Sequence, residues 1–127
     1  MQENHLFEYA VLRIVPRVER EEFINVGVIL YCRKHAFLQT MFSLDEQRLL
    51  SLCPKVNPAE IQTHLQALEQ ISKGDLNSGP IAALDLASRF RWLTAKRSTM
   101  VQTSPVHPGL CTDPLETLVH LHRQLVL

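Results

Sequence analysis

One segment of this sequence concentrates the kinds of group that bind phosphate. Residues 89–99 place four cations beside the only tryptophan, Trp92. The cations are Arg89, Arg91, Lys96 and Arg97. Basic side chains interleaved with aromatic rings suit contacts to phosphate and stacking on a base, and backbone amides near Ser98 could help to hold an anion. The alternative is a solvated segment whose aromatic residues anchor it to the core while the cations face water.

A second candidate site comes from the alternation of side chains along two predicted strands, residues 6–15 and 22–32. In each strand one set of alternate positions is almost wholly apolar, and we expect those sets to pack beneath helices. The other positions then share one surface, with Gly27 leaving an opening. That surface holds Tyr9, Arg13, Asn25 and Tyr31. The planar guanidinium of Arg13 suits a carboxylate or a phosphate.

Ordinary structural roles would also account for these residues. Arg13 could pair with Glu22 or Glu8, and Asn25 could satisfy a backbone group at a turn or sheet edge. A glycine inside a strand often marks a β-bulge, which would explain Gly27.

Catalytic chemistry has a weaker signature in this sequence. His107 lies in a segment, 106–110, predicted to be a loop, where an exposed imidazole could be a general acid or base or simply a surface residue. We find no P-loop, dinucleotide-binding glycine motif, zinc-protease motif or nucleophile elbow. Three dispersed cysteines form neither a disulfide framework nor a zinc motif. The sequence therefore predicts no metal and no cofactor, and leaves open whether the protein is an enzyme.

The elements that must position these residues run from strands to helices along the chain. Predicted strands at 6–15, 22–32 and 36–42 are followed by helices that begin at a capping box from Ser43 and at a capping Asn57. A short strand at 99–103 and a final helix after Asp113 close the chain, whereas residues 81–93 carry only a weak helical signal. This order predicts an α+β fold: a small antiparallel sheet of three to four strands with helices packed on one face.

Composition limits the function classes. The chain of 127 residues is 46% hydrophobic and 20% charged, which predicts one globular domain, residues 1–127. Thirteen basic residues balance 13 acidic ones, which argues against a broad nucleic-acid surface. No apolar run reaches the length of a membrane span, and the first residues lack the pattern of a secretory signal. We expect a cytoplasmic protein without a membrane partner.

Two motifs resemble a bacterial domain-of-unknown-function family, number 3037. The first is Tyr9-x-x-x-Arg13-x-x-Pro16 followed by Glu22-Phe23-Ile24-Asn25-Val26-Gly27-Val28, and the second is Arg89-Phe90-x-Trp92-Leu93-Thr94-Ala95-x-Arg97-Ser98. The resemblance spans nearly the whole chain and implies a small cytosolic protein of unassigned role. Members are often encoded beside a HipA-like kinase gene, which implies a function as the partner of such a kinase.

Three functional hypotheses follow. The first is a non-catalytic accessory module that binds another protein. The second is a small enzyme or sensor for a phosphorylated or nucleotide ligand, with Arg13, Arg89 and Arg97 binding the anion, Asn25 orienting it and His107 transferring a proton. This hypothesis requires Arg13 and Arg97 to lie on the same side of the domain. The third, disfavoured by the net charge, is binding of single-stranded nucleic acid through Trp92.

Overall fold

The fold is an antiparallel sheet with helices against both of its faces. A computed structural model describes residues 3–127. The strands are β1 (His5–Ile14), β2 (Ile24–Cys32), β3 (Phe37–Phe42), β4 (Val101–Thr103) and β5 (His107–Cys111). The helices are α1 (Glu46–Leu52), α2 (Pro58–Lys73), α3 (Leu86–Leu93) and α4 (Pro114–Leu125), with short 3-10 turns at Val18–Arg20, Leu76–Ser78 and Pro80–Ala83.

The strand β1 lies at the centre of the sheet. It pairs with β2 along one side, β3 continues the sheet beyond β2, and β4 and β5 pair with opposite ends of the other side of β1. The α+β class is therefore confirmed, with five strands rather than the three to four predicted. None of the helices within residues 3–127 is long and apolar enough to cross a membrane.

The additional strand is β5, and the prediction of a loop at residues 106–110 is wrong for residues 107–110. Pro108 and Gly109 are poor strand residues, but both are accommodated here by position. Proline lacks a backbone donor, and β5 is an edge strand in which a donor is dispensable. The ring of Phe7 lies so close to Gly109 that a Cβ atom there would come within 2.5 Å of Phe7 Cζ. Tertiary contacts thus override the local turn preference.

Helix boundaries follow local capping chemistry in most cases. Asn57 and Asp113 cap α2 and α4 as predicted, and Asp85 caps α3 inside the segment that carried only a weak signal. At α1 the capping residue is Asp45, whose carboxylate accepts a backbone N–H bond of 3.1 Å, and not Ser43. The Ser43 N–H instead donates to the backbone of β2, which extends the sheet by one residue before the helix begins.

A β-bulge interrupts the pairing of β1 with β2. Leu12 is opposite Gly27, but the next residue, Arg13, is opposite Asn25, so Val26 is the extra residue. Side-chain alternation in β2 changes phase at this point. Val26 consequently packs with Leu12 on one face of the sheet, while Val28 packs on the other.

The two faces of β2 are buried by different helices. Ile29 and Tyr31 pack with residues of α2 and α3, whereas Val28 and Leu30 pack with Leu118 of α4. The expectation that helices would cover one face therefore needs a correction: α1, α2 and α3 belong to one core, and α4 covers the opposite face. A strand buried on both faces has apolar residues at successive positions, as β2 does, instead of a polar side and an apolar side.

Burial of a histidine in α4 predicts acid sensitivity. His122 is 6% exposed, and its Nε2 atom has no hydrogen-bond partner among residues 3–127. Burial lowers the pKa of His122 in the folded protein below the value of about 6.5 expected in the unfolded chain. At a pH between these two values, the unfolded chain binds more protons than the folded protein. Stability is then fully present above about pH 6.5 and is lost as the pH falls through this interval.

We expect the melting temperature to decrease from about pH 7 to about pH 5, and His122→Leu to reduce that decrease. Thermal unfolding across this range measures the effect. The matched control is His64→Leu, because His64 is exposed on α2. An equal pH dependence in the wild type and in His122→Leu would contradict the assignment.

Candidate functional site

Arg13 and the basic segment meet at one end of the sheet. A cavity of about 390 Å³ lies between them, and we call it the basic cleft. Its polar lining consists of Arg13, Glu21, Lys96, Arg97, Ser98 and Gln102. Its apolar wall consists of Val15, Val18 and Phe23. Three cations therefore face a single carboxylate in a protein whose overall charge is balanced.

The guanidinium of Arg13 is held on an aromatic ring. Its Cζ atom lies 4.2 Å from the centroid of Phe23, and its Nε atom is buried with no hydrogen-bond partner among residues 3–127. Stacking stabilises the cation through the ring face and does not use the N–H donors, which lie in the plane of the guanidinium. Arg13 is thus positioned to bind a planar or tetrahedral anion at its edge.

The carboxylates suggested as partners of Arg13 bind other cations. Glu22 pairs with Arg20, and Glu8 pairs with Arg91 across 3.2 Å. Among residues 3–127, no carboxylate oxygen lies within 4.0 Å of a side-chain nitrogen of Arg13. The ion pairs offered as a structural explanation of Arg13 are therefore not formed.

Arg97 is fixed at the carboxyl end of α3. Its guanidinium donates to the carbonyl oxygens of Leu93 at 3.2 Å and Trp92 at 2.7 Å, and its Cζ atom lies 4.6 Å from the Trp92 ring centroid. A cation at this helix end is favoured by the helix dipole. Partial burial lowers the pKa of Arg97, but a guanidinium stays protonated near neutral pH. The charge is therefore preorganised before any ligand arrives.

Local structure brings the two sides of the cleft together. The 3-10 turn Val18–Arg20 ends at Glu21, which has a left-handed conformation (φ 57°) and leads the chain back toward Phe23. On the other side, the Val15 N–H donates to Met100 O at 2.7 Å, which ties the end of the basic segment to β1. Gln102 of β4 lies directly opposite Arg13.

Asn25 and Gly27 do not line the basic cleft. Asn25 lies opposite Arg13, but its amide donates to Leu125 O at 3.2 Å and it lines a separate cavity of about 330 Å³. No opening exists at Gly27, because a Cβ atom there would lie 2.8 Å from Phe42 Cβ. Both residues hold β2 against its neighbours.

The two tyrosines occupy opposite faces of the sheet, so the expected shared surface is correct for Tyr9, Arg13 and Asn25 and wrong for Tyr31. Tyr31 is opposite Glu8 and packs against Phe90, with ring centroids 5.3 Å apart. Tyr9 is opposite Leu30 and faces the α4 side. From Glu8 to Leu12, odd positions of β1 pair with even positions of β2, and side-chain alternation within each strand cannot reveal that relationship.

The remaining candidate residues are dispersed. Arg89 is buried near the end of α2 and donates to Ala82 O at 3.2 Å. His107 is exposed on β5, with its ring centroid 5.4 Å from that of Tyr9. Tyr9 and Arg13 are four residues apart along β1, which is about 13 Å. His107 is thus too distant to transfer a proton to an anion bound at Arg13, and Trp92 contributes to the cleft only by supporting Arg97.

Sequence reasoning missed Phe23 and Glu21 as parts of the site. Phe23 falls inside the predicted strand 22–32, but in the structure it immediately precedes β2, so strand alternation does not fix the position of its ring. Its position near Arg13 follows from the pairing of β1 with β2, including the bulge at Val26, which joins residues distant along the chain. The family motif from Glu22 to Val28, which contains Phe23, was the sequence signal that could have indicated its role in the site.

The relationship to known proteins rests on one finding. The model of a family described as "Protein of unknown function (DUF3037)" matches residues 9–126. The chain belongs to this family. In this DUF3037 protein the matched region contains the whole basic cleft, and the resemblance stated from the two motifs is confirmed. No curated protein and no solved structure matches the DUF3037 chain.

Proposed function

We propose that this protein binds a small phosphorylated molecule with an aromatic part, typified by a nucleotide, in the basic cleft. The observation that carries the proposal is the state of Arg13: it is stacked on Phe23, lacks a carboxylate partner among residues 3–127, and shares its cavity with Arg97. Guanidinium groups bind phosphate through paired, charge-assisted hydrogen bonds. The proposal concerns binding and assigns no reaction.

The shape and the lining of the cleft support this ligand class. Its volume of about 390 Å³ lies within the usual range of small-molecule pockets, about 300–1,000 Å³. Val15, Val18 and Phe23 provide an apolar wall beside the cations. A nucleotide combines the two required chemistries, because its phosphates are anionic and its base is a flat, largely apolar ring system.

Binding of phosphate compounds tests this proposal. We expect pyrophosphate, AMP and ADP to raise the melting temperature of the wild type, because a ligand that binds only the folded state stabilises it. Arg13→Gln should weaken ADP binding by about tenfold or more, as expected for loss of a charged hydrogen-bond donor. Isothermal titration calorimetry measures the affinities.

The matched control is Arg33→Gln, which removes the same charge from an exposed position in the turn between β2 and β3. It should bind ADP as the wild type does. The proposal would be overturned if no compound in the series stabilises the wild type, or if both arginine variants bind ADP equally well.

A second candidate function is docking of a protein partner, for which the family resemblance implies a HipA-like kinase. The observation in its favour is a pair of exposed leucines: Leu6 and Leu110 lie directly opposite each other on β1 and β5 and are 58% and 68% exposed. We expect the tagged protein to retain one stoichiometric partner from its native cells and Leu110→Lys to lose it. A partner-free monomer in both cases would contradict this function.

A further inference from the structure

A second cavity adjoins the basic cleft around the same basic segment. Its volume is about 270 Å³, and we call it the hydroxyl lobe. It shares Lys96, Arg97 and Gln102 with the basic cleft. The rest of its lining is Thr94, Thr103, Ser104 and Pro105. The cations thus lie between two spaces, and a ligand phosphate bound to them would have room for a group on either side.

The two spaces differ in chemistry. The basic cleft has an apolar wall, whereas the hydroxyl lobe presents three side-chain hydroxyl groups. Each of these hydroxyls already donates within the protein: Thr94 to Phe90 O at 2.7 Å, Thr103 to Thr94 O at 3.3 Å and Ser104 to Pro105 O at 2.9 Å. The Ser104 hydroxyl is buried and also accepts a hydrogen bond from the Val11 N–H at 2.8 Å, so Thr94 and Thr103 are the two left to accept from a ligand. A hydroxyl oxygen that donates its proton keeps lone pairs that can accept hydrogen bonds. The hydroxyl lobe is therefore suited to a group rich in donors, such as the hydroxyls of a sugar.

We infer that the ligand is a nucleoside diphosphate whose terminal phosphate carries a hydroxylated substituent, as in a nucleoside diphosphate sugar. The base of this ligand lies along the apolar wall of the basic cleft. Its phosphates bind Arg13, Lys96 and Arg97. The substituent occupies the hydroxyl lobe. The inference rests on the proposed function of the basic cleft and adds the second half of the ligand. The hydroxyl lobe alone, at about 270 Å³, lies below the usual range for a ligand pocket, so it is better suited to one part of a larger molecule.

Calorimetry with matched pairs of ligands tests the inference. The probes are ADP with ADP-ribose and UDP with UDP-glucose, because the structure does not select a base. We expect the sugar-bearing member of at least one pair to bind about tenfold more tightly than the parent diphosphate. This comparison uses the wild type alone and does not depend on any variant folding correctly.

A double variant tests whether the tighter binding of the sugar-bearing ligand arises in the hydroxyl lobe. Thr94→Val with Thr103→Val removes two hydroxyl groups of the lobe and preserves side-chain size, so the sugar-bearing ligand should bind no more tightly than the parent while the parent is unaffected. Thr63→Val is the control, because Thr63 is exposed on α2 and its hydroxyl donates to Ala59 O in the same helical manner as Thr94.

The outcomes separate the two proposals. Equal affinity for parent and sugar-bearing ligands would overturn the inference and leave phosphate binding in the basic cleft intact. A gain that persists in the double variant would overturn the placement of the sugar in the hydroxyl lobe. Failure of all four ligands to bind would overturn the inference, and if pyrophosphate and AMP also fail to stabilise the wild type, both proposals would be overturned.

Discussion

Replacing Phe90 by alanine is expected to lower the free energy of unfolding by about 3–5 kcal/mol. Phe90 is fully buried, and its ring packs against Tyr31 where α3 meets the sheet. Alanine removes the apolar contacts of the ring and leaves a cavity that the surrounding strands and helices cannot fill completely. Since a domain is typically stable by only about 5–15 kcal/mol, this single change should remove a large part of the total.

Trp92→Ala is the matched control for Phe90→Ala. Trp92 is two residues away on the same helix but is 36% exposed, and its ring stacks with the guanidinium of Arg97. We expect its loss to cost about 1 kcal/mol or less. Chemical denaturation of the two variants measures the difference. Similar losses in both would mean that α3 presents a different side to the sheet.

Gly27→Ala is expected to destabilise the protein by about 1–3 kcal/mol through overpacking. The added Cβ atom would lie 2.8 Å from both Met41 O and Phe42 Cβ and 3.1 Å from Leu12 Cδ1. The first two atoms belong to, or are attached directly to, the backbone of β3. They can move away only if β2 and β3 separate, so the strain is not relieved by a side-chain rotation.

Gln39→Ala provides the comparison for Gly27→Ala, since Gln39 is exposed on β3 and its replacement should change stability by no more than about 0.5 kcal/mol. Urea denaturation of both variants is the measurement. Wild-type stability in Gly27→Ala, accompanied by weaker ADP binding, would restore the interpretation of Gly27 as an opening in a ligand site.

The basic cleft shows why the balanced composition of this chain says little about its ligands. Overall charge is zero, yet three cations and one carboxylate line the same cavity. Other charges are paired far from it, as Arg91 is with Glu8. Charge balance over a whole chain therefore limits broad electrostatic surfaces but not a local anion site.

Features that depend on neighbouring residues were predictable from the sequence. Asn57 and Asp113 cap their helices, because each of these roles is completed by hydrogen bonds within a few residues. The first three strands and the α+β class follow from the pattern of apolar residues. The family followed from the two motifs.

Features that depend on contacts between distant segments were decided only by the tertiary structure. Alternation shows which residues of one strand share a face, but the register between β1 and β2 placed Tyr9 and Tyr31 on opposite faces. Pro108 lies in a strand because β5 pairs with β1 as an edge strand, in which the backbone donor that proline lacks is not needed. Arg13 and Arg97 line one cavity because the basic segment returns to β1, and the free energy of that closure comes from packing and hydrogen bonds that no local sequence pattern encodes.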